Sequence, residues 1–133
     1  MSLSSMSSIS VSGMQAAATR LEASASNIAN ASSSGPVPDA SGNTTAYSPV
    51  KVQQSDVKGG GVSSRIVNAA DSYVISPDVS SPDANTDGLV AMPNVDMASE
   101  LVNVMTARIS YEASAKTLKV ANDMQKTALD AFS

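Results

Sequence analysis

The sequence predicts a mainly α-helical fold, with two long terminal helices that are built to pair and a small β-hairpin and loop region between them. Near both ends of the chain, apolar residues recur in alternating steps of three and four, which is the spacing of a coiled-coil seam. The middle is rich in Ser, Gly and Pro and carries only short alternating patterns, as strands and turns do. This organisation is typical of an assembly subunit rather than of an enzyme with a pocket.

The first helix is predicted at about residues 9–31, because Gly35 and Pro36 follow in a segment that stops helices. The Ser-rich start, residues 1–8, is expected to be frayed. We assign residues 1–31 to the N-terminal helix of the helical domain. Its seam consists of Val11, Met14, Ala18, Leu21, Ala25 and Ile28.

The central region, residues 32–93, is predicted to form a small antiparallel hairpin region. Residues 32–46 are expected to be an exposed loop, since Ser, Pro, Gly and Asn dominate there. Three consecutive glycines, residues 59–61, predict a turn. Short strands are predicted at residues 50–53, 62–67, 73–75 and 89–91.

The second helix is predicted at about residues 96–131, a run without Gly or Pro, with Asp96 as its N-cap. Residues 94–133 thus form the C-terminal helix of the helical domain. The main seam residues are Leu101, Val104, Met105, Tyr111, Leu118 and Leu129. Polar residues interrupt this seam, so they either fix its register or mark where it drifts along the helix; the residues concerned are Arg108, Asn122 and Gln125.

Composition narrows the function classes. The chain of 133 residues has no Cys and no His, which excludes disulfides, thiolate metal sites and a Ser-His-Asp triad. The net charge is −4 and the basic residues are scattered, so we expect no nucleic-acid partner. No apolar run is long enough to span a membrane, and we expect no ordinary secretory signal, because the first twenty residues lack a basic segment followed by an apolar one. Because aromatic residues are few, we expect the core to bury little apolar surface. The free monomer is then expected to be only partly folded and to become ordered through contacts with neighbouring subunits.

One segment has the beginning of a calcium-binding loop. Asp83, Asn85 and Asp87 are spaced like the first ligands of an EF-hand, and Gly88 follows them. The twelfth position would be Asn94, which cannot supply the bidentate carboxylate that such loops need. An Asx-rich turn between strands is the favoured interpretation, and no metal, cofactor or catalytic residue is predicted.

Two segments resemble the bacterial flagellar axial proteins, which form the rod and hook. Residues 13–30 combine G-M-Q-A with R-L-E-A-S-A-S-N-I-A-N, similar to the N-terminal signature of that family. Residues 83–96, D-A-N-T-D-G-L-V-A-M-P-N-V-D, resemble the C-terminal half of its proximal-rod subunits. The motif residues are Asn27, Ile28, Ala29, Asn30, Pro93, Asn94, Val95 and Asp96.

The resemblance implies a structural function. In this family the terminal helices form an antiparallel coiled coil that lines a helical tube, and the tube transmits torque and conducts exported subunits. The implied partners are other flagellar rod proteins, copies of the chain itself and the flagellar type III export apparatus. The implied location is the periplasmic rod of the basal body, reached without a cleaved signal peptide. The alternatives are another flagellar axial subunit or a calcium-binding interaction module.

Overall fold

The computed structural model describes residues 2–70 and 72–131. Within them, two long helices flank four short strands. The elements in order are α1 (Leu3–Asn30), β1 (Val50–Asp56), β2 (Val62–Asn68), β3 (Tyr73–Pro77), β4 (Leu89–Pro93) and α2 (Met97–Asp130). The predicted pair of long terminal helices around a small β region is therefore confirmed.

The N-terminal helix begins earlier than predicted. It starts at Leu3, so the expectation that residues 3–8 would be frayed is wrong. Ser2 is the N-cap and accepts a hydrogen bond from the Ser5 amide at 3.2 Å. The hydroxyl groups of Ser5 and Ser8 bond to carbonyls three residues earlier. The serines thus satisfy polar groups within the helix and at its start, rather than drawing the backbone into a loop.

The second helix begins where the sequence predicts. Asp96 is its N-cap, and its Oδ1 accepts hydrogen bonds from the amides of Ala98 at 3.0 Å and Ser99 at 3.3 Å. The Ser99 hydroxyl donates to the Asp96 Oδ2 at 2.7 Å. The Ser99 hydroxyl, followed by the two backbone amides, lowers the pKa of Asp96 from its ordinary value.

Two contacts define how α1 lies beside α2. A Cβ placed on Gly13 would lie 3.5 Å from the Ser114 Cβ, and the Asn27 side chain donates to Glu100 at 2.7 Å. The middle of α1 therefore lies beside the middle of α2, and the end of α1 lies beside the start of α2, so the two helices run antiparallel.

The strands form two separate antiparallel pairs. β1 pairs with β2 from Val50↔Asn68 to Asp56↔Val62, and β3 pairs with β4 from Tyr73↔Pro93 to Pro77↔Leu89. The central region thus contains two hairpins within the described residues.

The predicted glycine turn connects β1 with β2 and packs on α1. Ser12 accepts a hydrogen bond from the Val62 amide at 3.2 Å. Gly60 has a φ of 102°, and a Cβ there would lie 2.8 Å from the Ile9 Cδ1. Glycine is needed at this position for its backbone conformation and for the close approach of Ile9.

The predicted exposed loop is buried at one point. Gly35 is buried and forms an isolated bridge with Ala91, with backbone hydrogen bonds of 3.0 and 2.9 Å in the two directions. The prediction is wrong at this residue because a free edge of β4 offers peptide groups that must be satisfied. A side chain at position 35 would collide with Ala46.

The buried apolar core is small. Among the described residues it consists of six alanines and one valine: Ala16, Ala17, Ala23, Val90, Ala91, Ala107 and Ala121. Alanine removes little apolar surface from water compared with a Leu or Ile side chain. In the described part of the chain, neither helix is both long and apolar enough to cross a membrane.

Candidate assembly interface

The contact between α1 and α2 is made by small side chains. On α1 the buried residues are Ser10, Ala16, Ala17, Ala23, Ser24 and Asn27, and on α2 they are Ala107 and Ala121. We call these residues the inner face. Small side chains let the two helices approach each other closely where these residues face one another.

The seam residues predicted on α1 lie beside this inner face rather than within it. Val11 and Leu21 are 39% and 45% exposed. Ala18 and Ala25 are exposed, whereas Met14 and Ile28 are half-buried. The positions 10, 13, 17, 20, 24 and 27 form a heptad series on α1 that contains four of the buried residues. Each predicted seam residue directly follows one of these positions in the sequence. Each step of one residue along a helix turns the side-chain direction by about 100°, so the predicted seam lies to one side of the contact.

The seam residues predicted on α2 divide into two groups. Val104 and Leu118 are half-buried. In contrast, the exposed fractions of Leu101, Met105 and Leu129 are 53%, 63% and 66%. Most of the apolar seam on this helix is therefore in contact with solvent in the isolated chain.

Four predicted seam residues come together in one apolar groove between the helices. The groove has a volume of about 380 Å³. Its lining consists of Ala17, Ala18, Leu21, Val104, Ala107, Arg108, Tyr111 and Glu112. We call it the interhelix groove. An exposed apolar surface of this kind is typical of a site that binds another protein.

A salt bridge flanks the interhelix groove. The Arg108 Nε lies 2.9 Å from the Glu112 Oε1. The hydrogen bond from Arg108, together with its positive charge, lowers the pKa of Glu112. Because both side chains are largely exposed, the pair adds little to stability and mainly keeps one rim of the groove charged.

A second apolar surface lies on the opposite side of α2. Met105 and Ile109 are each two residues from the buried Ala107, which places them about 160° around the helix from it. Val102 and Val120 share this side. We call these four residues the outer stripe, and they are 54–64% exposed. The chain thus presents an apolar groove on one surface and an apolar ridge on another.

The two family-motif segments meet at one end of the helix pair. Asn27 is only 2% exposed. Its Nδ2 donates to the Val50 carbonyl at 2.8 Å and to the Glu100 Oε1 at 2.7 Å. Its Oδ1 accepts from the Val50 amide at 2.9 Å and from the Tyr47 hydroxyl at 3.0 Å. Asn27 shares one open groove of about 610 Å³ with Asn94 and Asp96.

The other motif residues have more local positions. Asn30 donates to the Ser26 carbonyl at 2.9 Å, and Ala29 is exposed. Pro93 is buried at the end of β4, Val95 is half-buried, and the Asn94 amide donates to the Ser72 carbonyl at 3.1 Å.

Sequence reasoning missed the groups that surround Asn27. No pattern in the sequence connects Asn27 with Glu100, with Tyr47 or with the backbone N–H and C=O of Val50. The signal available was weak: an Asn in the last turn of a helix, on the side of the inner face.

The candidate calcium ligands lie in the turn between β3 and β4. The Asn85 Oδ1 accepts hydrogen bonds from the amides of Asp87 and Leu89, both at 2.9 Å. This oxygen therefore stabilises an Asx turn. Asp83 and Asp87 are exposed. No group of three or more acidic residues that could hold a metal ion occurs in the described segments.

Comparison with known proteins agrees with this architecture of terminal helices. Residues 8–36 match the family model "Flagella basal body rod protein". Residues 86–131 match the model "Flagellar basal body rod FlgEFG protein C-terminal". Both models describe the class of flagellar basal-body rod proteins, and they cover most of α1 and all of α2 respectively.

Full-length relatives narrow this class. The chain is 32% identical to the flagellar basal-body rod protein FlgC of Agrobacterium fabrum, over 96% of this chain and 94% of that protein. It is 34% identical to FlgC of Yersinia enterocolitica and 34% identical to FlgC of Salmonella typhimurium, each over 97% of both chains. The chain belongs to the FlgC family of flagellar basal-body rod proteins.

Proposed function

We propose that this chain is a structural subunit of the proximal part of the bacterial flagellar basal-body rod. It assembles there with other rod proteins and with copies of itself into a helical tube. Family membership supports this function, since the family is one of structural rod components and not of enzymes.

The observation that carries the proposal is the distribution of large apolar side chains. Among the described residues, the buried apolar side chains are almost all alanines, whereas α2 alone exposes nine large ones. Complete burial of a fully exposed side chain of this size stabilises by about 1.5–3 kcal/mol, and these side chains, which are 42–66% exposed, gain part of that when they are covered. The isolated chain does not gain this stabilisation, whereas an assembly in which neighbouring subunits cover the helices does.

The terminal helices pair as an antiparallel coiled coil in the assembled tube. The contacts of Gly13 with Ser114 and of Asn27 with Glu100 support this orientation. The inner face is the contact within one subunit, and the interhelix groove and the outer stripe are contacts between subunits. Two different surfaces on one subunit suit a head-to-tail arrangement that extends a helix instead of closing a ring.

The route to this assembly is export through the flagellar type III apparatus into the periplasm. A chain without cysteine and with a small core suits this route, because little packing must be undone before passage through a narrow channel. In the assembled rod, the helices transmit torque and surround the lumen through which later subunits pass.

Deletion of the gene in its host tests the proposed function. We expect loss of swimming, and electron microscopy of basal bodies should show the membrane ring and the export gate without a rod or filament. A plasmid copy of the wild-type gene restores both. Normal flagella and normal swimming in the deletion strain would contradict the proposal.

The free chain offers a second test. Because its core is small, we expect circular dichroism to show a broad, low-temperature melting transition for the purified protein. Analytical ultracentrifugation should then detect self-association or an expanded monomer. A compact monomer that melts sharply at high temperature would contradict the idea that neighbouring subunits are needed to order the chain.

A further inference from the structure

One buried side chain connects three segments of the chain. The amide group of Asn27 has two N–H donors and two acceptor lone pairs, and all four are used by groups outside α1. Two of them form hydrogen bonds with the backbone C=O and N–H of Val50, which is the first residue of β1. The Asn27 amide therefore substitutes for a neighbouring strand at this point and attaches the β1–β2 hairpin to α1.

The remaining two hydrogen bonds point to other segments. Asn27 donates to Glu100, in the first turn of α2. It accepts from the Tyr47 hydroxyl, which also lies 2.8 Å from the Ser26 Oγ. The side chain is thus shared by the loop before β1, the hairpin and the second helix. Because it is almost fully buried, any lost partner leaves a polar group that water does not readily satisfy.

We propose that Asn27 is a positioning residue that couples docking of the β1–β2 hairpin to pairing of α1 with α2. The hairpin and the helix pair then order together as one cooperative unit. Breaking the hydrogen bond at either end weakens the other end, because the chain of hydrogen bonds from Glu100 to Val50 passes through Asn27.

Asn30 provides a matched control within the same motif. It lies three residues further along α1, and its Nδ2 donates to the Ser26 carbonyl of the same helix. Substitution of Asn30 removes a local contact of the same chemical type without touching the hairpin or α2.

Hydrogen–deuterium exchange with mass spectrometry tests the coupling. The full-length wild type, Asn27→Ala, Asn27→Asp and Asn30→Ala are compared in sucrose, which favours the compact state. In Asn27→Ala and Asn27→Asp we expect amides of residues 48–56 and 98–104 to exchange at least about tenfold faster. Asn30→Ala should stay within about twofold of the wild type. A rise in only one segment, or an equal rise in Asn30→Ala, would overturn the proposal.

A second pair of variants leaves Asn27 in place, so the test does not depend on the folding of Asn27→Ala. Glu100→Ala removes the partner on α2, and Glu100→Gln keeps an oxygen that accepts the same hydrogen bond. We expect Glu100→Ala to speed exchange in residues 48–56, on the far side of Asn27, and Glu100→Gln to restore protection there. Faster exchange confined to α2 would overturn the coupling. Both experiments use the chain alone, so their outcome is independent of whether it assembles into a rod.

Discussion

The inner face of the helix pair and the outer stripe of α2 reverse the usual arrangement of side chains. Ala107 on the inner face is 2% exposed, whereas Met105 and Ile109, two residues away on either side, are 63% and 64% exposed. In most soluble domains the large apolar residues fill the core. Here small residues are buried between the helices, and large apolar residues of α2 stay exposed, as we propose for a surface that other subunits cover.

The two faces therefore serve different steps. Close approach through Ala, Gly and Ser lets the helices pair with little gain in buried area. The large gain comes only when a neighbouring subunit covers the exposed apolar surfaces. We therefore expect the subunit to become fully ordered when it assembles.

The largest effect is expected from charges on the outer stripe. Met105→Asp with Ile109→Asp should abolish rod assembly and swimming, because carboxylates would be buried against apolar neighbours without partners. Complementation of a deletion strain, followed by electron microscopy of basal bodies, measures this loss.

The matched control for the outer stripe is Thr106→Asp, which places one charge on an exposed position between the two. It should assemble much better than the double variant. If the double variant swims as well as the wild type, the outer stripe is not a contact between subunits.

A smaller effect is expected from enlarging the inner face. Ala121→Leu should destabilise the helix pair by about 1–3 kcal/mol, since Ala121 is 1% exposed and lies outside the grooves described above, and a close-packed contact does not accept extra methylene groups. Ala113→Leu, at an exposed position on the same helix, should change stability little. Thermal melting followed by circular dichroism compares them, and equal melting temperatures would mean that the inner face is not close-packed.

The orientation of the helices predicts a specific cross-link. Gly13→Cys with Ser114→Cys should form a disulfide, because the two Cβ atoms would lie 3.5 Å apart, close to the usual separation. Gly13→Cys with Ser99→Cys should not form a disulfide, because position 99 lies about 22 Å from position 114 along the axis of α2. Gel electrophoresis without reductant distinguishes the two pairs, and a disulfide in the second pair would contradict the observed register.

The smallest effect concerns the cap of α2, which belongs to neither face. The folded chain lowers the pKa of Asp96 below its ordinary value of 3.8. Its stabilising contribution is therefore present above that value and is lost as pH falls through the lower pKa of the folded state. Asp96→Ala should lower the melting temperature slightly at pH 7 and flatten its dependence on pH in the acid range. An unchanged acid dependence would contradict this.

The elements were easier to predict than their contacts. The alternating steps of three and four located both helices, and the Asp96 cap located the start of α2, since these are local properties of the sequence. The same pattern did not reveal that the seam of α1 is rotated from the contact, because small residues pack inward only when the partner helix is known. The bridge of Gly35 with Ala91 and the contacts of Asn27 join distant segments, which no local pattern contains.

We expect the exposed apolar surface of α2 to become covered in the rod. The chain has no cysteine, so Met105→Cys gives a single site whose rate of thiol labelling can be compared between the free protein and isolated basal bodies. Ser41→Cys, in the exposed loop before β1, serves as the control for access of the reagent. We expect rapid labelling of Met105→Cys in the free chain and labelling at least about tenfold slower in the rod. Equal rates in both states would contradict it.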